Sequence, residues 1–132
     1  MQKVLEFLND NPVFYYATVD GNEPRVRPFG FFMEYNGRLY IGMGKKKESY
    51  LQTIANPNIE ICTSSSDGKW IRIRGKAVED KSPKVLQRAK ESNPTVAKLY
   101  NEKTGAEFAC FYIKNGTAEL ADMSGNFEKI MF

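Results

Sequence analysis

Hydrophobic residues along the chain follow two periods, and most runs end at a turn signal. The first apolar residues keep the 3.6-residue period of a helix, which is expected to end at Asn11-Pro12. A second helix is expected to end at Asn56-Pro57, and Ser82-Pro83 begins a third, which a short fourth follows. Aromatic and alternating runs between the helices predict seven strands, over residues 13–19, 25–34, 38–43, 58–63, 69–79, 108–114 and 117–122.

Tight turns join most of these predicted strands. Asp20-Gly21, Asn36-Gly37, Asp67-Gly68 and Asn115-Gly116 suit the positive φ of hairpin turns, and the last of them predicts a final hairpin. Antiparallel strands joined in this way usually form a barrel or a sandwich. The tail after Asp122 has no regular pattern, and no linker or repeat interrupts the chain. We therefore predict one mainly β domain with short helices over residues 1–132.

The composition is most useful for what it excludes. The chain has 19 basic and 16 acidic residues, and this net charge of +3 is too small to indicate a nucleic-acid-binding domain. No run approaches the roughly 20 apolar residues that span a bilayer, and the N-terminus lacks a signal-peptide pattern. Cys62 and Cys110 lie in apolar strands and are expected to be buried free thiols. We therefore expect a cytoplasmic protein that binds neither nucleic acid nor membrane.

The chain contains no histidine. It therefore lacks the most common metal ligand, the usual general acid–base group, and the partner that activates serine or cysteine nucleophiles. Any chemistry is expected to depend on a borrowed cofactor, and a metal site is not predicted.

Basic residues gather in two segments that a predicted hairpin brings together. Arg25 and Arg27 share one face of the second predicted strand, and Lys45-Lys46-Lys47 precedes the helix that contains Ser49. Helix N-termini offer free N–H groups and partial positive charge, and arginine grips phosphate oxygens with a planar fork. A solvated run of lysines would have the same composition. Lysine at a helix N-terminus is unfavourable, however, so a bound anion would relieve a cost, and the pattern indicates a phosphate site.

The fifth predicted strand carries a basic face that includes the only tryptophan. Its two faces are apolar and cationic, and the cationic one consists of Trp70, Arg72, Arg74 and Lys76. Such a face can be solvated, can stack the tryptophan ring on a planar ligand, or can bind single-stranded nucleic acid. The sequence leaves these alternatives open. Gly30, inside the second predicted strand, marks either a bulge or the close approach of a ligand or another backbone.

Four segments in a fixed order carry a family resemblance. They are Pro24–Pro28, Gly37–Gly42, Lys45–Lys47 with Leu51 and Asn56-Pro57, and Trp70–Gly75. With these segments the chain resembles the flavin-binding split-barrel family of pyridoxamine 5'-phosphate oxidases, general stress proteins and nitroimidazole-resistance proteins. The resemblance implies a six-stranded antiparallel Greek-key split β-barrel that binds flavin mononucleotide (FMN) at the interface of a homodimer.

The resemblance also implies which residues contact the cofactor. The FMN phosphate would be held by Arg27, Lys46 and Lys47, with Arg25 and Ser49 as further candidates. Backbone lying along the flavin ring would come from Pro28, Phe29, Gly30, Ile41 and Gly42, and Trp70 would approach from the other subunit.

The implied activity is the FMN-dependent oxidation or reduction of a small planar compound, with no side chain assigned to catalysis. The alternative is a non-catalytic flavin-binding or redox-sensing module. The tail from Met123 to Phe132 lacks the Trp, Arg and His residues with which pyridoxamine phosphate oxidases hold their substrate. We therefore do not expect the chain to oxidise pyridoxamine phosphate itself.

Overall fold

The computed structural model describes residues 1–132, which form four helices and eight strands. The helices are α1 (Gln2–Asp10), α2 (Glu48–Ala55), α3 (Pro83–Ser92) and α4 (Pro94–Leu99). The strands are β1 (Phe14–Asp20), β2 (Glu23–Phe29), β3 (Phe32–Tyr35), β4 (Arg38–Gly44), β5 (Asn58–Ser64), β6 (Lys69–Asp80), β7 (Phe108–Asp122) and β8 (Phe127–Met131). None of the four helices combines the length and the apolar character needed to cross a membrane.

All strands pair antiparallel in one sheet, in the order β2-β1-β5-β6-β7-β4-β3, and β8 also pairs with β7. Although β2 and β3 stand at opposite ends of this order, only Gly30 and Phe31 separate them along the chain. The sheet must therefore curl until its two ends come close, without pairing there. The fold is the predicted mainly β split barrel with short helices. It has eight strands, however, and not the six that the resemblance implied.

The predicted hairpin at Asn115-Gly116 is wrong, because β7 continues through it as one strand of 15 residues. Asn115 has a φ of 54° and adds an extra residue to β7 opposite the stretch of β6 between Arg74 and Lys76. On its other side, the Gly116 backbone exchanges hydrogen bonds of 2.8 and 2.9 Å with Phe132. A positive φ suits a bulge as well as a turn, so the Asn-Gly pair does not distinguish the two.

Two other boundaries differ from the prediction. The second predicted strand is divided, since β2 ends at Phe29 and β3 begins at Phe32. The tail, which has no regular pattern in sequence, forms β8 and pairs with β7 from Thr117 to Ala121. Both differences arise from long-range pairing, which local periodicity does not report.

Alternate residues of β4 and β7 point into two separate apolar clusters. Leu39 and Ile41 face the barrel interior, which α1 closes with Val4 and Leu8. Tyr40 points the opposite way, into a second cluster under α3 and α4 that also contains Phe31, Met33, Val85, Ala89, Val96, Phe108 and Cys110. Because β4 is covered on both faces, it reads in sequence as an almost continuous apolar run.

Candidate functional site

The packing of α2 against β1 is unusually polar. Of five buried polar side chains in the protein, four lie at this contact, namely Thr18, Ser49, Gln52 and Thr53. The three from α2 are spaced at i, i+3 and i+4, so they share one helix face. The Thr53 hydroxyl donates to the Ser49 carbonyl at 2.8 Å and therefore accepts from the Tyr16 hydroxyl, 2.6 Å away. Burial raises the pKa of Tyr16 to about 12, which keeps its hydroxyl protonated as the donor.

Arg27 is the cation attached to this polar contact. Its Nη1 donates to the Tyr16 carbonyl at 3.2 Å and to the Thr18 hydroxyl at 2.8 Å, and its Nη2 donates to Gln52 Oε1 at 2.6 Å. The same Gln52 oxygen accepts from the Thr18 hydroxyl at 2.6 Å. Partial burial lowers the pKa of Arg27, a cost that a nearby anion would offset. Acceptors on β1 and α2 thus fix the two Nη atoms of the guanidinium, and its Nε–H stays free to donate to a ligand.

The start of α2 has donors that nothing in the chain satisfies. Ser49 Oγ is buried without a hydrogen-bond partner, and the N-cap residue Lys47 provides no side-chain cap. The first two backbone N–H groups of the helix, those of Glu48 and Ser49, have no acceptor within the chain. A buried hydroxyl left unpaired costs roughly 1–3 kcal/mol. Since Ser49 lies one turn before Gln52, these donors and the Arg27 fork lie at the same end of α2, and Lys46 and Lys47 lead into it.

Arg25 shares a face with Arg27, as predicted, but its surroundings differ. Its Nη2 donates to Glu23 at 2.7 Å and lies 3.5 Å from Asp20 Oδ2. The hydrogen bond and charge of Glu23 raise the pKa of this exposed arginine. Its contacts are thus with its own hairpin, whereas Arg27 bonds Gln52 of α2. Of the two arginines, only Arg27 is held by buried partners on α2.

The residues predicted along the flavin ring divide into two groups. Pro28 and Gly30 are exposed, Phe29 stacks on Tyr16 with ring centroids 4.8 Å apart, and a Cβ added at Gly30 would meet no atom within 4 Å. These three positions are accessible to a ligand or to another chain.

The group from β4 can offer only backbone atoms. The Ile41 side chain is fully buried in the barrel, and a Cβ added at Gly42 would overlap the Phe108 ring. Pairing between β3 and β4 stops at Ile41, so β3 does not pair with Gly42–Gly44, which is buried. The Gly44 carbonyl accepts from the Lys47 N–H at 3.2 Å, and the segment leads directly to the start of α2.

Trp70 lies on the other face of the sheet from Arg27. Arg27 is opposite Tyr16, and this row continues through Ile61 and Ile73 on the buried face. Trp70 alternates with Ile71 and Ile73, so it is half-buried on the outer face, in a recess with Phe7 and Phe127. The structure does not bring Trp70 to the Arg27 site of its own chain. It can approach such a site only in another copy.

The outer face is less cationic than the sequence indicated. Arg72 Nε donates to Glu60 on β5 at 2.9 Å, and Arg74 donates to Glu119 on β7. Carboxylates of neighbouring strands therefore compensate both arginines. Cys62 also lies exposed on this face, so the prediction that it is buried is wrong, whereas Cys110 is buried as predicted.

Sequence reasoning missed the residues that hold Arg27 in place. Thr18 and Gln52 are the ones it bonds, and Thr53 connects α2 to Tyr16. The local pattern pointed to the wrong face of α2, because its apolar residues Leu51 and Ile54 are 64% and 52% exposed. The helix packs instead through the polar residues at i, i+3 and i+4.

Comparisons with known proteins agree with this architecture. The family model described as pyridoxamine 5'-phosphate oxidase matches residues 1–109. A NimC/NimA family protein from Clostridium acetobutylicum is 37% identical, with a TM-score of 0.92, and the match covers 100% of this chain and 92% of that one. No curated protein matches the chain.

Two further solved structures are similar in fold alone. General Stress Protein 26 from Bacillus anthracis is 14% identical, with a TM-score of 0.74 and coverage of 98% of this chain and 97% of that chain. PhzG from Burkholderia lata, in complex with tetrahydrophenazine-1-carboxylic acid, is 9% identical, with a TM-score of 0.69 and coverage of 99% and 89%. Given the family match over most of its length, this chain belongs to the pyridoxamine 5'-phosphate oxidase family.

Proposed function

We propose that the chain binds FMN through its phosphate at the start of α2 and, as a homodimer, uses it to oxidise or reduce a small planar compound. One observation carries this proposal: Ser49 Oγ is buried without a partner at the same helix end as two free N–H groups and the fixed Arg27 fork. A phosphate monoester has the oxygens to accept from all of these donors at once. The donor set therefore fits the group.

Each part of the site has a distinct task in this proposal. Arg27, the Ser49 hydroxyl and the N–H groups of Glu48 and Ser49 hold the phosphate directly, while the exposed Lys46 and Lys47 add long-range attraction. Arg25, already paired with Glu23, contributes less. Bound flavin supplies the hydride and electron chemistry, and the protein binds and orients it. Backbone at Phe29–Gly30 is accessible to the ring system, whereas Gly42–Gly44 is buried and would lie behind it.

The proposed homodimer rests on the outer face of β1 and β2. Tyr15 and Val26 are 50% and 68% exposed there, and they flank Ala17 and Pro28 on paired strands. Contiguous exposed apolar side chains of this kind often mark a protein interface. A second copy on this face would cover them and can bring Trp70 towards the partner's site.

The proposed substrate class is broad. PhzG, which has this fold, binds a fused-ring carboxylic acid in its complex, and that supports a planar substrate here. No side chain of the chain is assigned to proton transfer. The non-catalytic alternative differs in one property, namely what the reduced flavin reacts with.

The test is to titrate the purified protein with FMN and with riboflavin, following flavin fluorescence and absorbance. We expect FMN to bind at least ~30-fold more tightly, because riboflavin lacks the charged phosphate that accepts from these donors. Light scattering should give the mass of two chains. Equal affinities for FMN and riboflavin would contradict the phosphate site.

A stopped-flow experiment then separates the two functions. The FMN-loaded, reduced protein is mixed with nitro compounds, with quinones and with oxygen. Faster reoxidation by an organic acceptor than by oxygen supports an oxidoreductase. Reaction with oxygen alone would identify a non-catalytic flavin-binding module.

A further inference from the structure

A second recess lies on the α3–α4 side of β4, away from the buried face that holds Arg27. It has a volume of about 440 Å³ and opens between α3, the segment 100–107 and the start of β7. None of the residues that line this recess belongs to the proposed flavin site. Lys45 is the one that comes directly before the flavin-site residues Lys46 and Lys47 in the chain.

The wall formed by segment 100–107 is fixed before any ligand arrives. The Asn101 side chain donates to the Ala97 carbonyl at 2.9 Å and accepts from the N–H groups of Lys103 and Thr104 at 2.9 and 3.1 Å. At the other end, the Lys45 N–H donates to the Glu107 carbonyl at 2.9 Å. A preformed wall lowers the entropy cost of binding a small molecule.

The apolar part of the recess is aromatic. The Tyr100 and Phe108 rings lie 4.9 Å apart at an angle of 47°, and Leu86 of α3 contributes to the same lining. Tilted aromatic rings beside an aliphatic side chain suit a ligand with an aromatic ring of its own.

The polar part contains two donors without partners. A Cβ added at Gly44 would lie 2.8 Å from the Tyr100 hydroxyl, so the glycine allows this hydroxyl to lie against the strand. The hydroxyl makes no hydrogen bond within the chain and, unlike Ser49 Oγ, it is open to solvent. Lys90 is half-buried and has no carboxylate within 4.0 Å, whereas Lys45 lies 3.4 Å from Glu107.

The acidic residues of the lining restrict the charge of a ligand. Glu107 already faces Lys45, and Glu102 is exposed. One unpaired cation and one phenol can hold a single negative charge, but the two carboxylates would repel a dianion such as a phosphate monoester. A monoanion is therefore favoured.

We propose that this recess binds a small aromatic monocarboxylate. Its ring lies against Phe108 and Leu86, and its carboxylate accepts a hydrogen bond from the Tyr100 hydroxyl and pairs with Lys90. This site is separate from the proposed flavin site and takes a ligand of different charge.

The test uses 3-phenylpropionate as the probe, on the full chain without flavin, so its result is independent of FMN binding. Amide resonances of residues 100–108 should shift saturably in a ¹H–¹⁵N titration. We expect 3-phenylpropan-1-ol to bind ~10-fold more weakly, because charged partners strengthen hydrogen bonds. Shifts located elsewhere, or equal binding of 3-phenylpropylamine, would overturn the proposal.

Two pairs of variants assign the binding groups. Tyr100→Phe and Lys90→Gln should each weaken the probe ~5-fold, which is the loss of about one hydrogen bond. Tyr35→Phe and Lys129→Gln make the same chemical changes outside the recess and outside the proposed dimer face, and should leave affinity unchanged. If the variants of Tyr100 and Lys90 bind the probe as well as these controls do, the proposal fails.

Discussion

The two helical contacts of the barrel are built in opposite ways. Where α2 packs on β1, the buried face carries hydroxyl and amide groups joined to Tyr16 and Arg27. Under α3 and α4, the buried side chains are almost all aliphatic or aromatic. Hydrogen bonds are directional and fix side-chain positions, whereas apolar packing stabilises without that directionality. One donor, Ser49 Oγ, is left over in the polar contact, and the proposed phosphate site rests on it.

Alkaline pH should weaken both contacts, beginning with the apolar one. Burial raises the pKa of Cys110 from 9.0 to about 12, and that of Tyr16 from 10.0 to about 12. The folded state thus holds these protons more tightly than the unfolded state. The resulting stability is complete below pH 9, and the Cys110 part is lost as pH rises from 9 to 12. At about 1.4 kcal/mol for each unit, the loss is about 4 kcal/mol for Cys110.

Urea unfolding at several values between pH 8 and pH 11 measures this loss. Cys110→Ala should flatten the decline between pH 9 and pH 10, where Tyr16 has not begun to contribute. Cys62→Ala, at the exposed cysteine, should keep most of the decline. An unchanged slope in Cys110→Ala would show that the thiol is not protected by burial.

The two arginines of β2 offer the second test. Arg27→Gln removes the fork that the α2 contact holds, so FMN affinity should fall ~100-fold, in line with the loss of charge-assisted hydrogen bonds worth about 1.5–3 kcal/mol. Arg25→Gln removes an equal charge that is already paired with Glu23, and the loss should be ~3-fold or less. Fluorescence titration with FMN measures both.

Equal losses in the two variants would mean that the phosphate responds to net charge near α2 and not to the preorganised fork. Riboflavin serves as an internal control, because its binding should change little in either variant.

The third test concerns the close approach of Phe108 to β4. Gly42→Ala should lower the free energy of unfolding by about 1–3 kcal/mol, because the added methyl group overlaps the Phe108 ring in a packed cluster. Phe108→Leu in the same chain should recover part of that loss, and a double-mutant cycle measures the coupling. Additive effects would show that the ring does not cause the strain. FMN affinity per folded molecule should not change, since Gly42 offers the flavin only backbone.

The alternation of residues along a strand was enough to predict which side chains share a face. Alternation placed Arg25 and Arg27 on one face and separated Trp70 from Ile71 and Ile73, as the structure shows. It could not show that Arg25 would meet Glu23 and Asp20 while Arg27 met Gln52, because those partners depend on where the chain packs α2.

The features that sequence missed depend on pairing between distant segments. Asn115-Gly116 has the composition of a turn, yet β6 and Phe132 pair on either side of it and hold it as a bulge. The tail pattern is irregular because β8 has only one partner strand and exposes Phe127 and Met131. No periodicity calculated along the chain contains that information.

Substitution of Ser49 should have the smallest effect of those predicted here, but it tests the α2 contact most specifically. Ser49→Ala removes the unpaired buried hydroxyl, so the flavin-free protein should become about 1 kcal/mol more stable, while FMN affinity should fall ~5-fold. Thr53→Val is the matched change one turn later, and it should act in the opposite sense on stability, because it leaves the Tyr16 hydroxyl without its acceptor. Urea unfolding without flavin and titration with FMN measure the two quantities separately. A destabilised Ser49→Ala protein would mean that the hydroxyl is already satisfied in solution, and the main reason for placing a phosphate at this helix end would be lost.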